Sequence, residues 1–222
     1  YQESKNKKRV VIGGSHGKTT TTAMVMHVLQ KTNQSFDYMV GARLNGFDQS
    51  VAITNAPLIV CEGDEYPASA LEKQPKFHFL FPHIAVLTGI AWDHINVFTT
   101  YDMYVEQFRI FIQKIEPGGH LIYNATDDTL VKLVQQSHRK DIQYTPYTLP
   151  IHKIVNGQTQ LTIQNNTGLL KVFGNHNLLN IHAAYHVCRL LNIPSANFVQ
   201  AITSFTGAAK RLELLYEQDN TR

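Results

Sequence analysis

The chain has 222 residues, of which 43% are hydrophobic and 17% charged, with a net charge of +3. Those proportions suit one large domain with a substantial core and exclude an intrinsically disordered chain. Nowhere do ~18 apolar residues run together, so no membrane-spanning helix is expected. Aromatic residues are not interleaved with basic ones, which argues against a nucleic-acid surface.

Lys5, Lys7, Lys8 and Arg9 cluster at the start and read as a solvated lead-in to a strand. Cys61 and Cys188 lie far apart and outside any CxxC spacing, so they read as buried, reduced thiols of a cytosolic protein. Tyr1 and Arg222 are expected to be cut edges within a longer protein, and no signal peptide is expected.

Residues 8–13 (KRVVIG) form a short apolar run ending in glycine, which predicts a buried parallel strand, and 18–32 predict a helix. Residues 57–62 (PLIVCE) and 84–88 (IAVLT) predict two further strands. A helix is predicted over 101–115 and stopped by Pro117-Gly118-Gly119, then a strand over 120–124 and a helix over 127–137 capped by its aspartate. From Gln143 to Phe173 the pattern changes: 151–155, 159–164 and 169–173 are short, turn-separated stretches that predict a small antiparallel appendage. Helices return at 177–191 and 196–205, separated by Pro194. The fold class is therefore α/β: a mostly parallel, doubly wound sheet flanked by helices, with a small antiparallel β appendage.

Gly14-Ser15-His16-Gly17-Lys18-Thr19-Thr20 joins the first strand to the first helix. A glycine turn at a helix start lets backbone amides and the positive end of the helix dipole face a polyphosphate. Lys18 would reach the β- and γ-phosphates, and the Thr19 hydroxyl would ligate Mg²⁺. The spacing is the short G-x-x-G-K-T, not the commoner loop with four residues between its glycines.

Glu62-Gly63-Asp64-Glu65 follows the second long strand, whose carboxyl end lines the same crevice as the phosphate loop. Glu62, next to the strand, is the candidate Mg²⁺ ligand; Glu65 reads as part of a solvated acidic loop. Asp93-His94 follows the third strand into the same crevice and reads either as a polar pair or as a metal ligand. Asn177 and Asn180, three apart on one helix face, could read the edge of an adenine or could be an N-cap and a surface amide. Arg211 could neutralise phosphate or could be a surface charge.

Together the strings GGSHGKTTTT (13–22), CEGDEY (61–66), AWDH (91–94), GNHNLLN (174–180) and FTGAAKRLE (205–213) resemble the central ATP-binding domain of the Mur ligase family. That family joins amino acids or peptides to UDP-N-acetylmuramate. The resemblance implies that Gly14, Ser15, His16, Gly17, Lys18, Thr19 and Thr20 hold ATP phosphates. It further implies that Thr19, Glu62 and His94 serve Mg²⁺, that Asn177 and Asn180 contact adenine, and that Arg211 contacts phosphate. Lys18, His94 and Arg211 are then the catalytic set. The stretch 63–82 is similar to the branch that reattaches a murein tripeptide, with the L-alanine-adding branch as the alternative. A folylpolyglutamate synthetase-like ligase and a non-catalytic nucleotide module are the more remote ones.

Three departures stand out. Gly89 replaces a usual asparagine, residues 106–109 (EQFR) lack the lysine that many relatives carbamylate, and the family's UDP-binding and amine-binding domains lie outside this chain. The resemblance implies a cytoplasmic enzyme with ATP and Mg²⁺ as cofactors and no nucleic-acid or membrane partner.

Overall fold

The structure, a computed structural model, describes residues 2–68, 72, 74–92 and 97–208. In chain order its elements begin with β1 (Lys8–Gly13), α1 (Lys18–Lys31), β2 (Asp37–Met39), β3 (Val51–Ala52), β4 (Leu58–Glu62) and β5 (Ile84–Leu87). They continue with α2 (Tyr101–Gln113), β6 (His120–Asn124), α3 (Asp128–Gln136) and β7 (Gln143–Tyr147). The last are β8 (Ile151–Val155), β9 (Gln158–Ile163), β10 (Asn166–Leu169), α4 (Asn175–Leu190) and α5 (Ser195–Ile202). Seven strands form one sheet in the order β3-β2-β4-β1-β5-β6-β7, while β8, β9 and β10 form a separate antiparallel sheet. In the large sheet only the β2–β3 pairing is antiparallel.

Alternation along the central strands divides the core in two. Val10, Ile12, Val60 and Val86 face α1, α4 and α5, packing with Met24, Leu29, Ile181 and Phe198. Val11, Cys61, Ala85 and Leu87 face α2 and α3, packing with Phe77, Phe108, Phe111 and Leu133. Helices therefore cover both faces, as a doubly wound sheet requires. α1 is buried nearly all round because α4 and α5 lie over it, which is why its apolar residues show no clean stripe. Cys61 and Cys188 are free and buried, and burial pushes the Cys61 thiol up to about 12. Among the described residues no helix is long and apolar enough to cross a membrane.

Three expectations are corrected. Gln143–Tyr147 is not part of the appendage; it pairs parallel with β6 as the edge of the large sheet, a position that tolerates Pro146. The third strand of the small sheet is Asn166–Leu169, not 169–173, because the turn at Gln164 (φ 53) reverses the chain early and fixes Asn166 opposite Ile163. Leu170 and Val172 from the expected strand are buried in the core all the same.

The basic lead-in is solvated only in part: Lys5 and Lys8 are exposed, while Lys7 and Arg9 turn inward. Arg9 is 2% exposed, and its guanidinium donates to the carbonyls of Ser4, Lys5 and Phe81 and to Glu116 Oε1. Lys7 pairs with the buried Asp37 at 2.6 Å. A buried cation keeps its charge only when such partners surround it.

Candidate functional site

The carboxyl ends of β1, β4 and β5 open into a cleft of about 580 Å³ lined by residues 15–20, Glu62, Thr88, Asn124, His176, Leu179 and Asn180. The glycine loop between β1 and α1 forms its floor. Gly14 (φ +129) and Gly17 (φ +83) both occupy the left-handed region, where side chains are strained. A Cβ at Gly14 would collide with the Thr88 hydroxyl, and one at Gly17 would come within 2.5 Å of Asn180 Oδ1. Gly17 is the N-cap of α1 and supplies no side-chain cap, so the first-turn amides are left for another acceptor. That end carries the positive pole of the helix.

Lys18 Nζ donates to Gly14 O at 2.6 Å and pairs with Glu65 Oε2 at 2.8 Å. Thr19 Oγ1 donates to Glu62 Oε1 at 2.7 Å, and Glu62 Oε2 accepts from the Gly41 amide at 3.1 Å. A hydroxyl and a carboxylate side by side are hard oxygen donors, a set whose chemistry suits Mg²⁺ with water and phosphate completing its shell. Among the described residues no cluster of three His, Cys, Asp or Glu side chains could hold a metal by itself.

Ser15 turns its hydroxyl away from the cleft. It accepts from the Ala91 amide at 2.8 Å and bonds the Tyr104 hydroxyl at 2.8 Å, while its own amide donates to Gly89 O. Thr88 Oγ1 donates to His16 O. The loop after β1 is thus fastened to the loop after β5.

The two asparagines do not share a recess. Asn180 is 7% exposed and lies against Gly17 in the main cleft. Asn177 is half-buried, donates to Phe173 O at 2.7 Å, and lines a neighbouring recess of about 190 Å³ with Lys171, Phe173 and Ala208. Thr20 and His176 line both spaces, so the two adjoin. His94 and Arg211 lie outside the described residues.

Several site residues escaped the sequence reading. Glu65, taken there for a solvated acid, is 0% exposed. Tyr104 reaches it from α2. Asn124 and Thr88 join the cleft, with Asn124 Nδ2 donating to Thr88 O. A Cβ at Gly89 would lie 3.1 Å from Oδ2 of Asp127, the N-cap residue of α3. Asp127 caps α3 by accepting from the Leu130 amide with one oxygen and holds the Ile90 amide at 2.7 Å with the other. Asp127→Ala is expected to lower stability by ~1–2 kcal/mol in urea titrations. Asp127→Asn should fall between, since an amide retains one acceptor oxygen.

Residues 12–188 match the Mur ligase middle domain. A UDP-N-acetylmuramate--L-alanine ligase of Caldicellulosiruptor bescii is 31% identical over 222 residues, covering 95% of this chain and 47% of the relative. The chain thus spans about half the length of the curated relatives it matches. Among solved structures, a Neisseria UDP-N-acetylmuramate:L-alanyl-gamma-D-glutamyl-meso-diaminopimelate ligase superposes with a TM-score of 0.79 at 21% identity, covering 94% of this chain and 68% of that one. An FPGS of L. casei superposes with a TM-score of 0.70 at 12% identity, covering 91% of this chain and 64% of that one. At such identities the superpositions speak for the fold alone. On the match to its middle domain, the chain belongs to the Mur ligase family.

Proposed function

We propose that this chain is the ATP-binding domain of an ATP-dependent amide-bond ligase that phosphorylates the carboxylate of UDP-N-acetylmuramate and passes the acyl group to an amine. The observation that carries this reading is the meeting, in one cleft, of a helix N-terminus floored by two left-handed glycines, the Lys18 ammonium, and the Thr19–Glu62 pair. Amides 18–20 and Lys18 would hold the triphosphate, with Arg211 as a second cation on the transferring group. Thr19, Glu62 and His94 would hold Mg²⁺, which supplies charge neutralisation on the phosphates. Gly14 and Gly17 let the backbone come close, and Thr88 and Ser15 keep the loop in that shape. No protein nucleophile is needed, so Ser15 stays in its scaffolding role.

The amine site and the UDP-sugar site belong, on this reading, to further domains of the protein that carries the chain. A murein tripeptide is the proposed amine, supported by the resemblance of residues 63–82. L-alanine is the second reading, favoured by the 31% identity to the Caldicellulosiruptor ligase.

Titration calorimetry tests the core of the proposal. MgATP is expected to bind, ATP in EDTA to bind more weakly, and His94→Ala to erase that difference. Binding that ignores both metal and His94 would mark a non-catalytic nucleotide module and sink the ligase reading. ADP release by the protein carrying this chain, with UDP-N-acetylmuramate and either amine, then decides the substrate.

A further inference from the structure

Glu65 lies three residues beyond the candidate metal carboxylate, yet its surroundings differ completely. Glu62 sits at the cleft wall, whereas the Glu65 side chain is 0% exposed and meets Lys18 through both oxygens, at 2.8 and 3.1 Å. A line of donors runs toward the same carboxylate. The Ala91 amide donates to Ser15 Oγ, Ser15 bonds Tyr104, and the Tyr104 hydroxyl donates to Glu65 Oε1 at 3.2 Å. Donors aligned this way polarise one another and fix the anion. An ammonium has three protons. Those of Lys18 are shared among Gly14 O at 2.6 Å, the Glu65 carboxylate, and Ser15 O at 3.4 Å. A phosphate oxygen entering the cleft must therefore take Lys18 from one of these acceptors. The two carbonyls are fixed by the loop. Glu65 is the acceptor that keeps another donor, Tyr104, when Lys18 turns.

Resting on the nucleotide-binding reading above, we propose that Glu65 is a positioning residue: the internal counter-ion that holds Lys18 when no nucleotide is bound and yields it to the terminal phosphates of ATP. The Lys18–Glu65 pair then competes with every anion that enters the cleft. Observed affinity is the intrinsic affinity scaled by the fraction of molecules whose Lys18 is released. The pair also ties the response of the phosphate loop to α2 and to the loop after β5, since Tyr104 and Ser15 anchor the same carboxylate.

Glu65→Gln tests this, because the amide keeps the volume and an acceptor for Tyr104 but removes the charge. Titrations with MgATP and with magnesium tripolyphosphate are expected to show tighter binding by on the order of tenfold. In a Lys18→Ala background the same change should give no gain. A structural role alone would weaken binding or leave it unaltered. Independently of nucleotide, acylation of Lys18 by an amine-reactive reagent, read by peptide mass spectrometry, should speed up several-fold in Glu65→Gln while Lys132 is unaffected. If Glu65→Gln does not fold, Glu65→Asp, whose shorter carboxylate retreats from Lys18, should show the faster acylation. Unaltered Lys18 acylation overturns the counter-ion assignment whether or not nucleotide binds. So does a folded Glu65→Gln that binds MgATP no better than the wild type. Failure of wild type and variant alike to bind either ligand overturns the nucleotide reading instead.

Discussion

Lys18→Ala is expected to abolish detectable MgATP binding and, unusually for a residue at a cleft, to lower the unfolding free energy by about 3 kcal/mol. The binding loss follows from removing the one lysine among the described cleft-lining residues. The stability loss comes from the other side of the residue. The Lys18 side chain is 14% exposed and Glu65 is 0% exposed, so truncation leaves a buried carboxylate without its ammonium. Breaking a buried pair by deleting one partner is costly because the remaining charge stays out of water. Adding Glu65→Gln to Lys18→Ala should therefore restore most of the stability and none of the binding. Urea denaturation of the single and double variants measures the first, and calorimetry the second. Equal stability of Lys18→Ala and wild type would show that the Lys18 ammonium is not what holds the Glu65 carboxylate in the folded protein.

That pairing also marks the limit of the sequence. The strand, glycine turn and helix start that make up the candidate loop were legible because every requirement for them is local: a buried strand, two glycines, then Lys18 and Thr19 at a helix start. Glu62 was legible because it ends a strand beside that loop in a parallel sheet. Glu65 was not, since its burial depends on Lys18 from 47 residues upstream and Tyr104 from 39 residues downstream. Charge runs are usually exposed, and Asp64 obeys that rule by pairing with a half-exposed Lys76. The asparagines show a different limit. Spacing of three put Asn177 and Asn180 on one helix face, but α4 enters the site at the junction of two recesses, so one faces the loop and the other the neighbouring space.

The fold divides in the same way. The long central strands β1, β4, β5 and β6 announce themselves as apolar runs because both faces are buried. The edge strand β3 and its neighbour β2, of 2 and 3 residues, carry too few side chains for any period to show. β7 carries a proline and half-exposed residues, and only its pairing with β6 assigns it to the large sheet.

Stability is expected to fall steeply as the pH drops from 7 to 5, well before the carboxylates titrate. Six histidines, His27, His78, His83, His120, His182 and His186, are held below the ordinary histidine value, each chiefly by burial. His186 is the extreme case. Burial lowers it to about 3, with His182, Arg189 and His120 adding repulsion. Its ring lies 4.6 Å from that of His182, and the His182 ring is held by a 2.6 Å bond to Thr148 O. A group whose folded value is depressed takes up its proton in the unfolded chain first. Its stabilising contribution is therefore complete above about pH 6.5 and is lost as the pH falls toward the folded value. By pH 5 the unfolded chain gains ~2 kcal/mol for a histidine that stays neutral when folded, reduced to about 1 kcal/mol for a partly exposed ring. The other five histidines are shifted the same way and add to the loss over that window. Urea titrations at pH 7.0, 6.0 and 5.0 measure the slope, and His186→Leu should flatten it while leaving MgATP affinity at pH 7 unchanged, since α4 carries His186 away from the cleft-lining His176 and Asn180. A slope of the same size in His186→Leu would mean that His186 is protonated in the folded protein.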